Sequence, residues 1–168
     1  MDLKLTYSPS NSSSLFQTWT DADHGGNPDN GKSTSGYLLK IGTGAVSWSS
    51  KLQTIVALST TEAEYVAATA AGTEVAWTRN FLHGLGLKID GPSDIHIDNQ
   101  SALSVAKNPE HHGRMKHLDL RFYWLCNTIS EKVISVSYIP TEDMTADLLT
   151  KALSRQLVKK HRKEMGLV

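Results

Sequence analysis

Residues 67–72 read AATAAG, a run of small side chains inside a helical stretch. A helix with so little side-chain bulk on one face can lie close on a sheet. Thr60 or Thr61 can cap this helix, which is expected over about 62–83. Glu64, Ala68, Ala71, Val75 and Leu82 fall on one stripe of it, and Gly84 and Gly86 end it. Strands are expected at Leu15–Thr20, Gly36–Ile41 and Ala45–Ser50. The segment 24–34, HGGNPDNGKST, has the composition of a turn, and the short GTG before Ala45 fits a hairpin. Ile95–Asp98 reads as a short alternating strand, with Asn99 or Ser101 opening a helix to about Lys107. A helix over about Met115–Ser130 and a strand over Val133–Ile139 follow. Pro140 stops that strand, Thr141 is expected to cap a helix holding Asp147, and a last helix spans about 155–165. Leading strands that form a meander, then a long helix before a further strand, give an α/β fold: a mixed sheet flanked by helices.

Composition narrows the class. With 39% hydrophobic and 20% charged residues the chain reads as one ordinary globular domain. No apolar run approaches a membrane span, and MDLKLTYSPSNSSS lacks the apolar core of a secretory leader. Residues 1–14 are polar and read as a linker or polyprotein junction, leaving 15–168 as the domain. A lone Cys126 makes neither a disulfide nor a thiolate zinc site, which suits a reducing compartment. The net charge is zero but segregated: Lys151, Arg155, Lys159, Lys160, Arg162 and Lys163 face a single acid, Glu164, while the rest of the chain is acidic. The basic tail reads equally as a solvated helix face or a grip for phosphate.

The acids carry the chemistry. Asp21 in TDAD and Asp98 in HIDNQ close strands, where ligand crevices of open α/β sheets form. Glu64 lies on the small-residue stripe, and Asp147 lies one turn into its helix. Glu62, two residues before Glu64, is expected to point away. Each acid alone could be a surface charge or a cap. Four at the ends of core elements, with no basic partner near in sequence, need cations to neutralise them. Mg²⁺ takes oxygen ligands and keeps waters, and a pair of such ions suits phosphodiester hydrolysis. Other centres fit less well. His111, His112 and His117 with Cys126 do not have structural zinc spacing. No nucleophile elbow surrounds a serine, and no phosphate-binding GxxxxGK[ST] loop exists. Trp19, Trp48, Trp77 and Trp124 are expected in the core.

Five blocks, TDADHGGNPDNGKSTSGYLLKIG, AVSWSSKLQTIVALSTTEAEYVA, HIDNQSAL, HHGRMKHLDLRFYW and YIPTEDMTADLLTKAL, together resemble the ribonuclease H domain of copia-type retrotransposon polyproteins. The resemblance covers about residues 15–153. It implies the ribonuclease H-like fold with a five-stranded mixed sheet. It also implies metal-dependent endonucleolytic cleavage of the RNA strand of RNA–DNA hybrids, by which a retroelement removes its template after reverse transcription.

By motif, the implied catalytic and metal-binding acids are Asp21, Glu64, Asp98 and Asp147, holding two Mg²⁺ ions for which Mn²⁺ can substitute. Asp23, two residues on and already in the turn, is the rival for Asp21 and is expected to support it rather than replace it. Asn99, Gln100 and Ser101 are the implied readers of the 2′-hydroxyl. Arg114, Lys116, His117 and Arg121 are the implied contacts to the hybrid backbone. Asp119 either orients His117 for that task or forms a structural pair with it. The partners implied are the hybrid and the reverse transcriptase of the same polyprotein. A cytoplasmic location within virus-like particles, no membrane association and a monomeric isolated domain complete the expectation.

Met144 stands where this family commonly has Gln. With Thr141 as N-cap, a Gln at that position would complete a capping box, so the helix bearing Asp147 is expected to fray. Tyr138–Asp147 holds no histidine, unlike the mobile loop of many cellular relatives. Two rival readings fit less well: a module that has lost activity, against which the full acid set argues, and an integrase-type transferase, whose acids run Asp, Asp, Glu rather than with Glu second.

Overall fold

The computed structural model describes residues 2–9, 15–107 and 119–168. Its five strands are β1 (Phe16–Asp23), β2 (Thr34–Ile41), β3 (Gly44–Leu52), β4 (Ser93–Ile97) and β5 (Ile134–Tyr138). They form one sheet in the order β3-β2-β1-β4-β5. The first three pair antiparallel as a meander, and β4 joins β1, and β5 joins β4, in parallel. The helices are α1 (Thr60–Gly84), α2 (Gln100–Lys107), α3 (Asp119–Ser130) and α4 (Arg155–Glu164). The mixed sheet flanked by helices is thus the architecture expected from the order of elements.

Helix α1 behaves as its small residues require. Ala63, Ala67, Ala68, Ala71 and Val75 are all buried. A side chain at Gly72 would press on Trp124, Leu125 and Ile134, so glycine there lets α1 lie close to α3 and the sheet. The N-cap is Ser59, one residue earlier than expected, and its hydroxyl accepts from the Glu62 N–H. Glu62 is buried rather than turned out to solvent. Its carboxylate accepts from the Leu58 N–H and closes the cap reciprocally. Gly86, at φ +82°, ends the helix as the glycine reading foresaw.

Two cores flank the sheet. The larger joins Phe16, Leu39, Ile95 and Ile97 to α1, α2 and α3. The smaller, on the opposite face, holds Trp19, Leu38, Met144 and Ala146. Trp48 and Trp77 do not join either; both are more than half exposed. Trp48 lies on edge strand β3, and Trp77 stacks on Phe81 along the outer side of α1. Side-chain size does not by itself bury a residue on an edge strand or an outer helix face. Residues 4–8, in the stretch read as linker, pair with the C-terminal residues and with Thr43.

The largest difference lies after β5. In place of one capped α-helix, the chain makes 3₁₀ turns at Thr141–Asp143 and Thr145–Leu149. Thr141 is not the cap; its hydroxyl goes to Asp98. Met144 therefore fills no capping-box position. It is fully buried against Trp19 and Ala146, and its side chain pins the turn instead of loosening it.

Candidate active site

Strand register brings the first acids together. Trp19 of β1 pairs with His96 of β4, and their rings lie 5.2 Å apart on one face. Two residues on, the pleat returns Asp21 and Asp98 to that face, side by side. Asp21 lies within β1, which runs three residues further than expected, and Asp98 follows β4 directly. Glu64 comes from the other layer, near the start of α1. Oxygens of Asp21, Glu64 and Asp98 all lie within 4.8 Å of one another, so the three could hold a metal ion.

Asp147 approaches from the Thr145–Leu149 turn. That turn can sit close on the sheet because β2 offers Gly36, the register partner of Asp21. A Cβ there would lie 2.7 Å from Thr150 Cγ2 and 2.9 Å from Leu149 Cβ. Asp23, by contrast, accepts from the Thr34 N–H and faces the turn, outside the cluster.

The electrostatics follow from burial and like charge. Asp21 is fully buried, and Glu64 and Asp147 nearly so. Burial, then the Asp21 and Asp98 charges, push Glu64 up to about 9. Burial and Asp21 push Asp147 up to about 6. Asp98 is raised mainly by burial, against which the Thr141 hydroxyl at 2.9 Å acts. Oε2 of Glu64 is buried without a hydrogen-bond partner among the described residues. An orphaned carboxylate oxygen facing two more carboxylates is the donor set a hard divalent cation takes.

The acids do have a basic partner. Lys151 Nζ lies 3.0 Å from Asp21 Oδ1 and 3.1 Å from Asp147 Oδ1. Burial pulls this ammonium down, but the two carboxylates outweigh it and hold its pKa above the ordinary lysine value. Thr150 donates its hydroxyl to the other oxygen of Asp21. The reading of the acids as lacking a near basic residue overlooked Lys151, four residues beyond Asp147. The i, i+4 spacing was the available signal.

Of the implied substrate contacts, Gln100 and Ser101 are exposed beside Asp98. Asn99 is half-buried and spends its Oδ1 on the Ala102 N–H, capping α2. Arg114, Lys116 and His117 lie outside the described residues, as do His111 and His112. For Asp119 and Arg121 only the backbone is described, at the start of α3. Cys126 is buried against the Tyr65 hydroxyl and the Ala106 carbonyl. In the basic tail, Lys160 is already bound to Asp143 and the Glu142 carbonyl, while Lys159 and Lys163 are exposed.

This sheet order and helix arrangement is the ribonuclease H fold. The chain aligns with a ribonuclease H1 isolated from compost, LC11-RNase H1, at TM-score 0.59 and 19% identity, covering 88% of this chain and 97% of that one. The same enzyme in complex with an RNA/DNA hybrid aligns at TM-score 0.55 and 23% identity, covering 80% of this chain and 93% of that one. No family model matches the chain. By sequence the chain is similar to part of the retrovirus-related Pol polyproteins of plant transposons. It is 45% identical over 141 residues to that of transposon TNT 1-94 of Nicotiana tabacum, covering 84% of this chain. It is 36% identical over 153 residues to that of transposon RE2 of Arabidopsis thaliana, covering 91%. It spans about a tenth of the length of either polyprotein.

Proposed function

We propose that the domain is a metal-dependent endonuclease that cleaves the RNA strand of RNA–DNA hybrids during retrotransposon reverse transcription. The observation that carries this reading is the meeting of Asp21, Glu64 and Asp98 within 4.8 Å, with a buried, unpartnered Glu64 oxygen among them. These three acids with Asp147 would hold two Mg²⁺ ions, for which Mn²⁺ can substitute. When bound, such ions make water a competent nucleophile and stabilise the departing oxygen.

The protein's own groups prepare the site. Thr150 fixes the Asp21 carboxylate, and Thr141 fixes that of Asp98. The buried floor of β1 keeps these groups from reorienting. The water oxygen bonds to phosphorus and the bond to the 3′-oxygen breaks, which leaves 5′-phosphate and 3′-hydroxyl ends. Asn99, Gln100 and Ser101, on the turn after Asp98, are proposed to meet a 2′-hydroxyl in the wide minor groove of a hybrid. Arg114, Lys116, His117 and Arg121 are proposed as its phosphate contacts. The reverse transcriptase of the same polyprotein is the proposed partner, and virus-like particles in the cytoplasm the proposed location. Among the described residues no helix is long and apolar enough to cross a membrane.

The test is a labelled hybrid incubated with the protein. Cleavage of the RNA strand in Mg²⁺ or Mn²⁺, none in EDTA, and survival of duplex DNA are expected. Cutting of the DNA strand, or cutting in EDTA, would overturn the reading.

A further inference from the structure

The two edges of the acid cluster are not alike. On one edge, Glu64 and Asp98 have no lysine or arginine within ion-pair distance among the described residues. On the other, the Lys151 ammonium bridges Asp21 and Asp147. Its side chain is about a third exposed, at 36%, so the flexible stem has solvent to swing into. Its Nζ lies 3.0 Å from the Asp21 oxygen it touches. A Mg²⁺ bound to that oxygen sits about 2.0–2.1 Å away, so ammonium and ion cannot share it without severe like-charge repulsion.

We propose that Lys151 is a built-in cation on the Asp21–Asp147 edge, so that the two divalent positions fill unequally. The Asp21–Glu64–Asp98 position accepts an ion with Lys151 in place, through the Asp21 oxygen that Lys151 does not touch. The Asp21–Asp147 position accepts one only as Lys151 withdraws, and binds more weakly for that reason. This rests on the metal reading above and adds an order of loading and a positioning residue to it. Lysine suits the task because a single mobile point charge can leave, whereas a guanidinium forked across two carboxylates is harder to dislodge.

The test is calorimetric titration of Mn²⁺ into the protein and into Lys151→Met, Lys151→Gln and Lys151→Arg, with melting curves in EDTA. The parent is expected to show a tight and a weak binding phase. Lys151→Met should tighten the weak phase about tenfold or more, the equivalent of removing one modest like-charge repulsion, and should melt below the parent in EDTA. Lys151→Gln, which also removes the charge but keeps a hydrogen-bonding group, gives the same readout if the methionine variant does not fold. Lys151→Arg should keep the weak phase weak. Equal Mn²⁺ constants in the parent and both neutral variants would overturn the role of Lys151 alone. No Mn²⁺ binding by any of the proteins would overturn the metal reading and this proposal with it.

Discussion

Two buried polar clusters divide the labour of this molecule. Beneath the Thr145–Leu149 turn, His161 of α4 is 1% exposed, and its Nδ1 meets Glu164 Oε2 at 2.8 Å. The Thr145 hydroxyl donates to the same oxygen at 2.9 Å. Acid, ring and hydroxyl satisfy one another and tie α4 to the turn that carries Asp147. Across that turn, Asp21, Glu64 and Asp98 face each other, and one Glu64 oxygen faces no donor among the described residues. The first cluster is complete as it stands, so it holds the fold together. The second is short of positive charge, so it stores repulsion that a bound cation relieves.

The difference breaks most sharply at Asp98. Asp98→Asn keeps the shape and weakens a ligand, and hybrid cleavage should fall about a hundredfold or more. Metal assistance supplies several kcal/mol, and each 1.4 kcal/mol is tenfold in rate. Near-parent rates for the variant would remove Asp98 from the site. His161→Ala should act on stability instead. It empties a packed position and takes one partner from the Glu164 carboxylate, at a cost of about 2–4 kcal/mol. For a chain of this size that lowers the melting temperature by roughly 5–15 °C. A loss within a degree or two would mean that the cluster does not bind α4 to the turn.

A smaller effect comes from pH. In the folded protein Glu64 keeps its proton up to about 9 and Asp147 up to about 6, above their ordinary values of 4.5 and 3.8. The folded state therefore binds more protons than the unfolded chain over that window, and stability falls as pH rises. In EDTA the melting temperature should decline from about pH 4.5 towards 9, the Asp147 contribution being spent by about 6. A melting temperature that rises across this range would contradict the burial and like charge that raise these two acids. The smallest effect is expected at Thr141→Val, which removes the exposed hydrogen bond to Asp98. Stability should change by about 0.5–1.5 kcal/mol, with a cleavage loss of roughly tenfold.

The regular elements were legible because their signals are local. The AATAAG run announced α1, and alternation around Ile95 and Ile97 placed β4 and hence Asp98. The segment after Pro140 was misread because Thr141 and Met144 look like parts of a helix cap. Their roles are set instead by partners far along the chain, Asp98 for the threonine and Trp19 for the methionine. Lys151 was missed for the same reason. Its i, i+4 partner Asp147 was visible, but the contact with Asp21 spans 130 residues and exists only once Gly36 lets the turn close on the sheet. Trp48 and Trp77 show the converse limit, since size alone does not say which face of an edge strand or helix is covered.

The central claim is that the acid cluster is strained by its own charge and relieved by a divalent ion. Melting curves of the parent and Asp98→Asn, in EDTA and in millimolar Mg²⁺, test it most directly. In EDTA the variant should melt at or above the parent, because one repelling charge is gone. Mg²⁺ should raise the parent's melting temperature more than the variant's, since an ion bound only by the native state stabilises it. A variant that melts well below the parent in EDTA, with equal Mg²⁺ shifts in both, would make Asp98 a structural hydrogen-bonding residue and contradict the account.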